Sequence, residues 1–232
     1  MGSTGNGFGG SVTGRGFASF GAGEAKPEVV LANLGKSYCV TRCRFRLYPT
    51  IGACNAPLDI LSDLIEKHGF HHRDVKSIRV GLRDAWVLHV GTAKRPHDVI
   101  SAQASLGYSL GIRLVKGNND MEMYTNPQLW SDTDVLAVAD KFESYALADK
   151  AHPLKAMMEI RLADGRVLTG EQEDARGSEA LPFGPGVIEG KFKRLARDIL
   201  TQAQVEQAMH LVDHLDELSS IEHLAPSLKR NA

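Results

Sequence analysis

The chain has 232 residues, 27 Lys+Arg against 28 Asp+Glu, a formal net charge of −1 and 43% hydrophobic residues. At roughly 100–200 residues per domain this is one large domain or two small ones, with enough apolar side chain for a core. The charge balance supplies no global field for nucleic acid or an acidic membrane, no apolar run nears the roughly 18–20 residues a bilayer needs, and three cysteines form no disulfide framework.

Residues 1–26 read as a Gly-rich leader, with nine glycines in the first 23 positions. Such a stretch has a high backbone entropy and little apolar surface. Its GNGFGG lacks the preceding strand and the following GK[ST] of a phosphate loop. The start also lacks the basic-then-apolar pattern of a secretory signal, and a cytoplasmic location is the expectation. Composition changes at Pro27, and residues 27–225 read as one domain. Residues 28–48 predict a strand-containing entry segment. Asn55 and Pro57 mark a helix start, with Leu58, Leu61, Leu64 and Ile65 on one face and His68-Gly69 as the stop.

Ile78, Val80 and Leu82 alternate as in a strand, and Trp86, Leu88 and Val90 predict a second. Residues 98–116 predict a helix with Ala104, Tyr108, Gly111 and Val115 on its inner face and Gly117 as its stop. Val135, Leu136, Ala139 and Phe142 predict another. Met158, Ile160 and Leu162 alternate up to Asp164-Gly165, a hairpin signal from which Val167 opens the return strand. Phe192, Leu195, Ala196 and Ile199 line one late helix; Val205, Ala208, Met209, Val212 and Leu215 line the next. Residues 226–232 read as a polar, frayed tail. Interleaved helices with an antiparallel hairpin give an α+β fold with a mixed or antiparallel sheet.

Motifs for metal, nucleotide and serine chemistry do not emerge. Cys39, Cys43 and Cys54 lack ligand spacing, although His68, His71 and His72 lie nearby; buried small side chains and a helix-end His cluster account for both groups. No G-x-S-x-G elbow or Rossmann fingerprint is present, and no cofactor is expected. The unusual segment is R-C-R-F-R-L-Y-P. As a strand it would point Arg42, Arg44 and Arg46 to one face, where guanidiniums bind carboxylates bidentately. A charge-blunted edge strand is the alternative.

F-R-L-Y-P with Asp59 ten residues past the proline resembles the K-x-Y/F-P…D stretch of the MmgE/PrpD family. G-R-G-F-A-S-F (residues 14–20) and Leu34-Gly35 precede it, and A-S-L-G-Y-S-L-G (residues 104–111), D-G-R-V (residues 164–167), R-G-S (residues 176–178) and G-K-F-K-R-L-A (residues 190–196) follow, in family order. The resemblance implies an α+β domain that sits beside a large helical N-terminal domain. It also implies cofactor-independent chemistry on small di- or tricarboxylates, next to a carboxylate, with loss of water or CO₂ or with epimerisation. The implied partners are the acid, a helical half, for which a partner chain is one source, and further copies in an oligomer.

By the same resemblance Arg46 stands where the family has a catalytic lysine and Asn55 where it has a histidine. Arginine holds a carboxylate but does not shuttle protons, and Asn cannot replace His in acid–base work. Arg46, Tyr48 and Asn55 are therefore the expected substrate-binding residues and Tyr108 the expected catalytic one. The rival expectation is a non-catalytic carboxylate-binding or interaction domain, or a truncated relic.

Overall fold

The computed structural model of the protein describes residues 32, 34–36, 38, 40, 43–148 and 152–229. The chain divides into two compact units, Met1–Cys43 and Arg44–Ala232. Among the few described residues of the first, Gly35 takes a left-handed φ of 74° and the Cys43 amide donates to the Val40 carbonyl at 3.1 Å. The glycine-rich leader and Arg42 lie outside the described residues. All further structure belongs to the second unit.

A 3₁₀ turn, Gly52–Cys54, runs directly into helix α1, Asn55–His68. Pro57 fits the first turn because its missing N–H has no intrahelical acceptor there. Leu58, Leu61 and Leu64 are buried, and Gly69 closes the helix at φ 60° by donating to the Ile65 carbonyl. Strand β1, Val75–Leu82, then buries Ile78, Val80 and Leu82.

The expected strand over Trp86–Val90 is instead helix α2, Asp84–Val90. Its apolar residues satisfy both periods. The helix wins because Trp86, Val87 and Val90 pack together against the core while Leu88 turns to solvent, and because the Trp86 indole N–H reaches the Pro153 carbonyl at 2.7 Å.

The single helix expected over 98–116 is two, α3, Val99–Ala104, and α4, Leu106–Lys116. Ser105 breaks it with ψ 109°. Its hydroxyl accepts from the Tyr108 amide and donates to the Ala93 carbonyl, so it caps α4 rather than continuing α3. Ala104 therefore ends the earlier helix. Tyr108 and Gly111 do face inward and are buried, Val115 is half-buried, and Gly117 ends α4 at φ 78°.

One helical turn, α5, Glu122–Thr125, precedes α6, Thr133–Asp140, capped by Asp132. Phe142, expected on that helix, instead opens β2, Phe142–Ala146, because the Lys141 amide closes α6 first. Strands β3, Ala156–Leu162, and β4, Val167–Gln172, form the hairpin over Asp164-Gly165, with Gly165 at φ 91°. The sheet order is β2-β1-β3-β4, parallel between β1 and β2 and antiparallel elsewhere. The fold is thus α+β with a mixed sheet.

Helix α1 lies on β3 and β4. At Gly170 an added Cβ would stand 2.5 Å from Ile60 Cγ2, which fixes how closely they pack. The alternating strand residues Ile78, Val80, Met158 and Ile160 meet α1 and α4 in the main core; each large side chain so buried contributes roughly 1.5–3 kcal/mol. A second cluster of Ala102, Tyr108, Ile112, Tyr124 and Val135 binds α4 to the segment that follows it. Helices α7, Val187–Ala196, and α8, Gln202–Asp213, complete the unit. Of the tail 226–232, residues 226–228 belong to a 3₁₀ helix, Ile221–Leu228, that buries Ser227, and residues 230–232 lie outside the described residues.

Candidate functional site

Residues 43–46 form no strand, so Arg44 and Arg46 do not share a strand face, and Arg42 lies outside the described residues. One backbone bond, from Phe45 to the Gly177 carbonyl at 2.9 Å, holds this segment instead of a ladder. Arg44 turns to the buried Asp174, with Nη2 3.0 Å and Nε 3.3 Å from Oδ2. Arg46 turns the other way and lines a cleft of about 720 Å³. Its Nη1 donates to the Thr50 carbonyl at 3.4 Å.

Three stretches distant in sequence wall this cleft: residues 46–51, the loop 118–123 with Ile100 and Gln103 behind it, and the end of α7 running into Arg197 and Asp198. The third wall brings Lys191 and Arg194, which share a helix face at i, i+3 spacing. Lys191 Nζ donates to the Arg46 carbonyl in a very short contact. Arg194 pairs with Asp120 at 3.5 Å and Arg197 with Asp198 at 3.5 Å. Among the described residues, Arg46 and Lys191 form no ion pair with a carboxylate. Burial, then the like charges of Arg194 and Arg46, hold the Lys191 ammonium below its ordinary lysine value. A positive charge crowded by positive charge in a partly desolvated cleft favours an incoming anion.

Tyr48 also lines the cleft. It is buried, and its hydroxyl donates to Asp59 Oδ1 at 3.1 Å. Burial and the Asp59 charge push that phenol up to about 12. Asp59 Oδ2 in turn accepts from the Arg176 amide at 3.0 Å and from Gln172 at 3.3 Å. Burial raises its carboxyl above the usual range in spite of these donors.

Asn55 is buried behind the cleft and does not cap α1. Because Cys54 is already helical, the Asn55 amide turns back and donates to Thr50 Oγ1 at 3.3 Å and to the Ile51 carbonyl at 3.2 Å. Tyr108 is fully buried, and its hydroxyl donates to the Met123 carbonyl at 2.8 Å, behind the 118–123 wall. Arg46 and Tyr48 thus meet in one cleft, whereas Asn55 and Tyr108 stand behind its walls and hold backbone that lines it.

Lys191, Arg194 and Arg197 were not among the residues expected from sequence to form a site. The signal was the helical spacing of cations in G-K-F-K-R-L-A. Among the described residues, no group of three or more His, Cys, Asp or Glu is placed to hold a metal ion, and no helix is long and apolar enough to cross a membrane. Cys54 is a buried thiol pushed up to about 12 by burial.

The family model of the MmgE/PrpD C-terminal domain matches residues 48–217. The chain belongs to this family. The match takes in Tyr48, Asn55, Tyr108 and Lys191 and starts two residues after Arg46. The chain is 24% identical over 214 residues to a cis-aconitate decarboxylase of Aspergillus terreus, covering 86% of this chain and 43% of the relative. It is 22% identical over 209 residues to the cis-aconitate decarboxylase-like protein oryM of Aspergillus oryzae, with the same two coverages. The MmgE/PrpD chain thus spans under half the length of these curated relatives.

Proposed function

We propose that the cleft binds a small di- or tricarboxylate and that the chain is the carboxylate-holding half of a lyase. The reaction class is removal of a proton next to a carboxylate, with loss of water or CO₂. The observation that carries this reading is the pair Arg46 and Lys191, two cations in one cleft with no carboxylate partner of their own among the described residues. Arg46 offers a planar fork that matches a carboxylate, and Lys191 offers a point charge. Tyr48, tied to Asp59, forms a fixed aromatic wall. Tyr108 and Asn55 act as positioning residues, by holding the Met123 carbonyl and the 50–51 turn. The relatives' printed activity, cis-aconitate decarboxylation, is one reaction of this class.

In this reading a helical half completes the enzyme, supplied with this chain or by another. It would cover apolar side chains near the cleft mouth and on α8, such as Leu195, Ile199 and Val212, which are 49–54% exposed. Cysteine usage, with Cys54 a buried thiol, suits the reducing cytoplasm, and an oligomeric assembly fits the same apolar surface. A second reading, a carboxylate-binding domain without turnover, is favoured by one feature: among the described residues no histidine lines the cleft, and position 46 is a guanidinium that keeps its proton. Titration calorimetry with cis-aconitate, 2-methylcitrate and tricarballylate tests binding. Assay of the chain with and without the helical half separates the two readings. Absence of saturable binding by any of these acids would overturn both.

A further inference from the structure

The cleft holds charged and titratable groups on every wall. Arg46 and Tyr48 come from the entry segment, Asp120 and Glu122 from the loop opposite, and Lys191, Arg194, Arg197 and Asp198 from α7 and the turn after it. The three guanidiniums keep their protons at any working pH. The Tyr48 phenol is held high by burial and by Asp59. Asp120 and Asp198 are committed to Arg194 and Arg197. Glu122 adds a carboxylate on the opposite wall, and Lys191 is the single amine among the described lining residues. It is half-buried, it touches the Arg46 carbonyl, and like charges flank it.

We infer that Lys191 is the proton-exchanging group of the cleft, placed by its contact with the Arg46 backbone to give a proton to, or take one from, a carboxylate ligand held there. The inference rests on the carboxylate-binding reading above. A C–H bond beside the bound carboxylate passes its proton only to an Nζ that is neutral in the complex, and the electron pair then stays with the acid, delocalised into its carboxylate. When CO₂ leaves, the C–C electron pair stays on carbon, and the Lys191 ammonium supplies the proton that closes the balance. A guanidinium at position 46 does neither, so the binding charge and the moving proton sit on different side chains. Burial and the neighbouring cations hold the Lys191 ammonium below its ordinary lysine value in the empty cleft. A bound dianion reverses that balance, so binding draws a proton onto Nζ.

The experiment is titration calorimetry of the chain with tricarballylate in buffers of differing ionisation enthalpy, at a series of pH values up to the ordinary lysine value of about 10.4. Binding is expected to take up a fraction of a proton, with a maximum below that ordinary value. In Lys191→Arg the uptake is expected to vanish, because a guanidinium keeps its proton whether or not the acid is bound. Competitive acetylation of the unliganded chain reads the same amine without ligand. Lys191 should reach half-labelling at lower pH than the exposed Lys193 of the same helix. Binding without proton uptake, or uptake that survives in Lys191→Arg, overturns the inference and leaves the carboxylate-binding reading standing. No binding at all overturns that reading and this inference with it. Circular dichroism of Lys191→Arg and of a second variant, Lys191→Gln, confirms that each is folded.

Discussion

The Tyr48 hydroxyl donates to Asp59 Oδ1 at 3.1 Å, which ties the aromatic wall of the cleft to a carboxyl only 1% exposed on the first buried helix. That carboxyl also anchors the Arg176 amide from the segment after β4. Asp59 therefore joins three parts of the unit: the entry segment, α1 and the 174–178 loop.

Tyr48→Phe is expected to destabilise the chain by about 1–3 kcal/mol, the range for removing a donor from a charged, buried acceptor. The pH dependence has a definite sign. Burial raises the folded-state carboxyl of Asp59, so its contribution is fully present below the unfolded value of about 3.9 and is lost as pH rises through the folded value. Removing the Tyr48 donor raises that value further. The loss should thus be larger at neutral pH than near pH 4, as read by urea denaturation at both.

Gly111 is expected to tolerate no side chain. An added Cβ would stand 2.5 Å from the Val135 carbonyl oxygen and 3.0 Å from Val135 Cγ1, where α4 crosses α6. A backbone atom cannot swing aside, so Gly111→Ala should cost about 1–3 kcal/mol through overpacking. Thermal or chemical unfolding of the variant measures this directly. A loss within a few tenths of a kcal/mol would show that the two helices slide apart freely.

Tyr108→Phe should separate a positioning role from a chemical one. It frees the Met123 carbonyl on the far side of the cleft wall. Amide exchange should then quicken across 118–125, and carboxylate affinity should fall by several-fold. In the complete enzyme kcat should fall less than KM rises. A loss confined to kcat would instead place the phenol in the chemistry.

How much of this was legible in the sequence depended on how far each signal reached along the chain. The β1 alternation, the Asp164-Gly165 turn and the Gly69 and Gly117 stops are local, and they stand as expected. The segment Trp86–Val90 fits two periods, and only docking of Trp86 against Pro153 decides between them. Ser105 breaks a helix because its hydroxyl finds the Ala93 carbonyl, a contact that no helical pattern announces. For the cleft, the motif around Tyr48 pointed to Arg46, but Lys191 lies 145 residues further on. Its place beside Arg46 exists only after α7 folds across the entry segment.

Arg46 is expected to dominate carboxylate affinity. A guanidinium–carboxylate hydrogen-bond pair contributes roughly 1.5–3 kcal/mol, so Arg46→Ala should weaken binding by about 10–100-fold. Arg176→Ala serves as the control, because that guanidinium is engaged by both oxygens of Asp63 at 2.8 Å and does not line the cleft. Equal weakening by the two variants would mean that bulk charge, rather than the cleft, attracts the acid; added salt would then remove the effect.

The chain by itself is expected to bind acid but not to turn it over. Elimination needs a group that takes a proton and another that assists the departing oxygen or carboxylate. General acid–base groups typically supply about 10²–10⁴-fold each. The cleft places one exchangeable cation, Lys191, near Arg46, and its remaining cations are guanidiniums that hold their protons. Asn55, in the position where the family resemblance implies a histidine, is spent on Thr50 and Ile51. Arg46→Lys alone should therefore not create activity, since it adds a second amine beside Lys191 without adding the missing acid. The measurement is turnover of cis-aconitate and 2-methylcitrate by the pure chain, then by the chain combined with a helical half. Saturable turnover by the chain alone that disappears in Arg46→Ala would establish this unit as a complete enzyme. Turnover only in the combined assembly would assign the second acid–base group to the helical half.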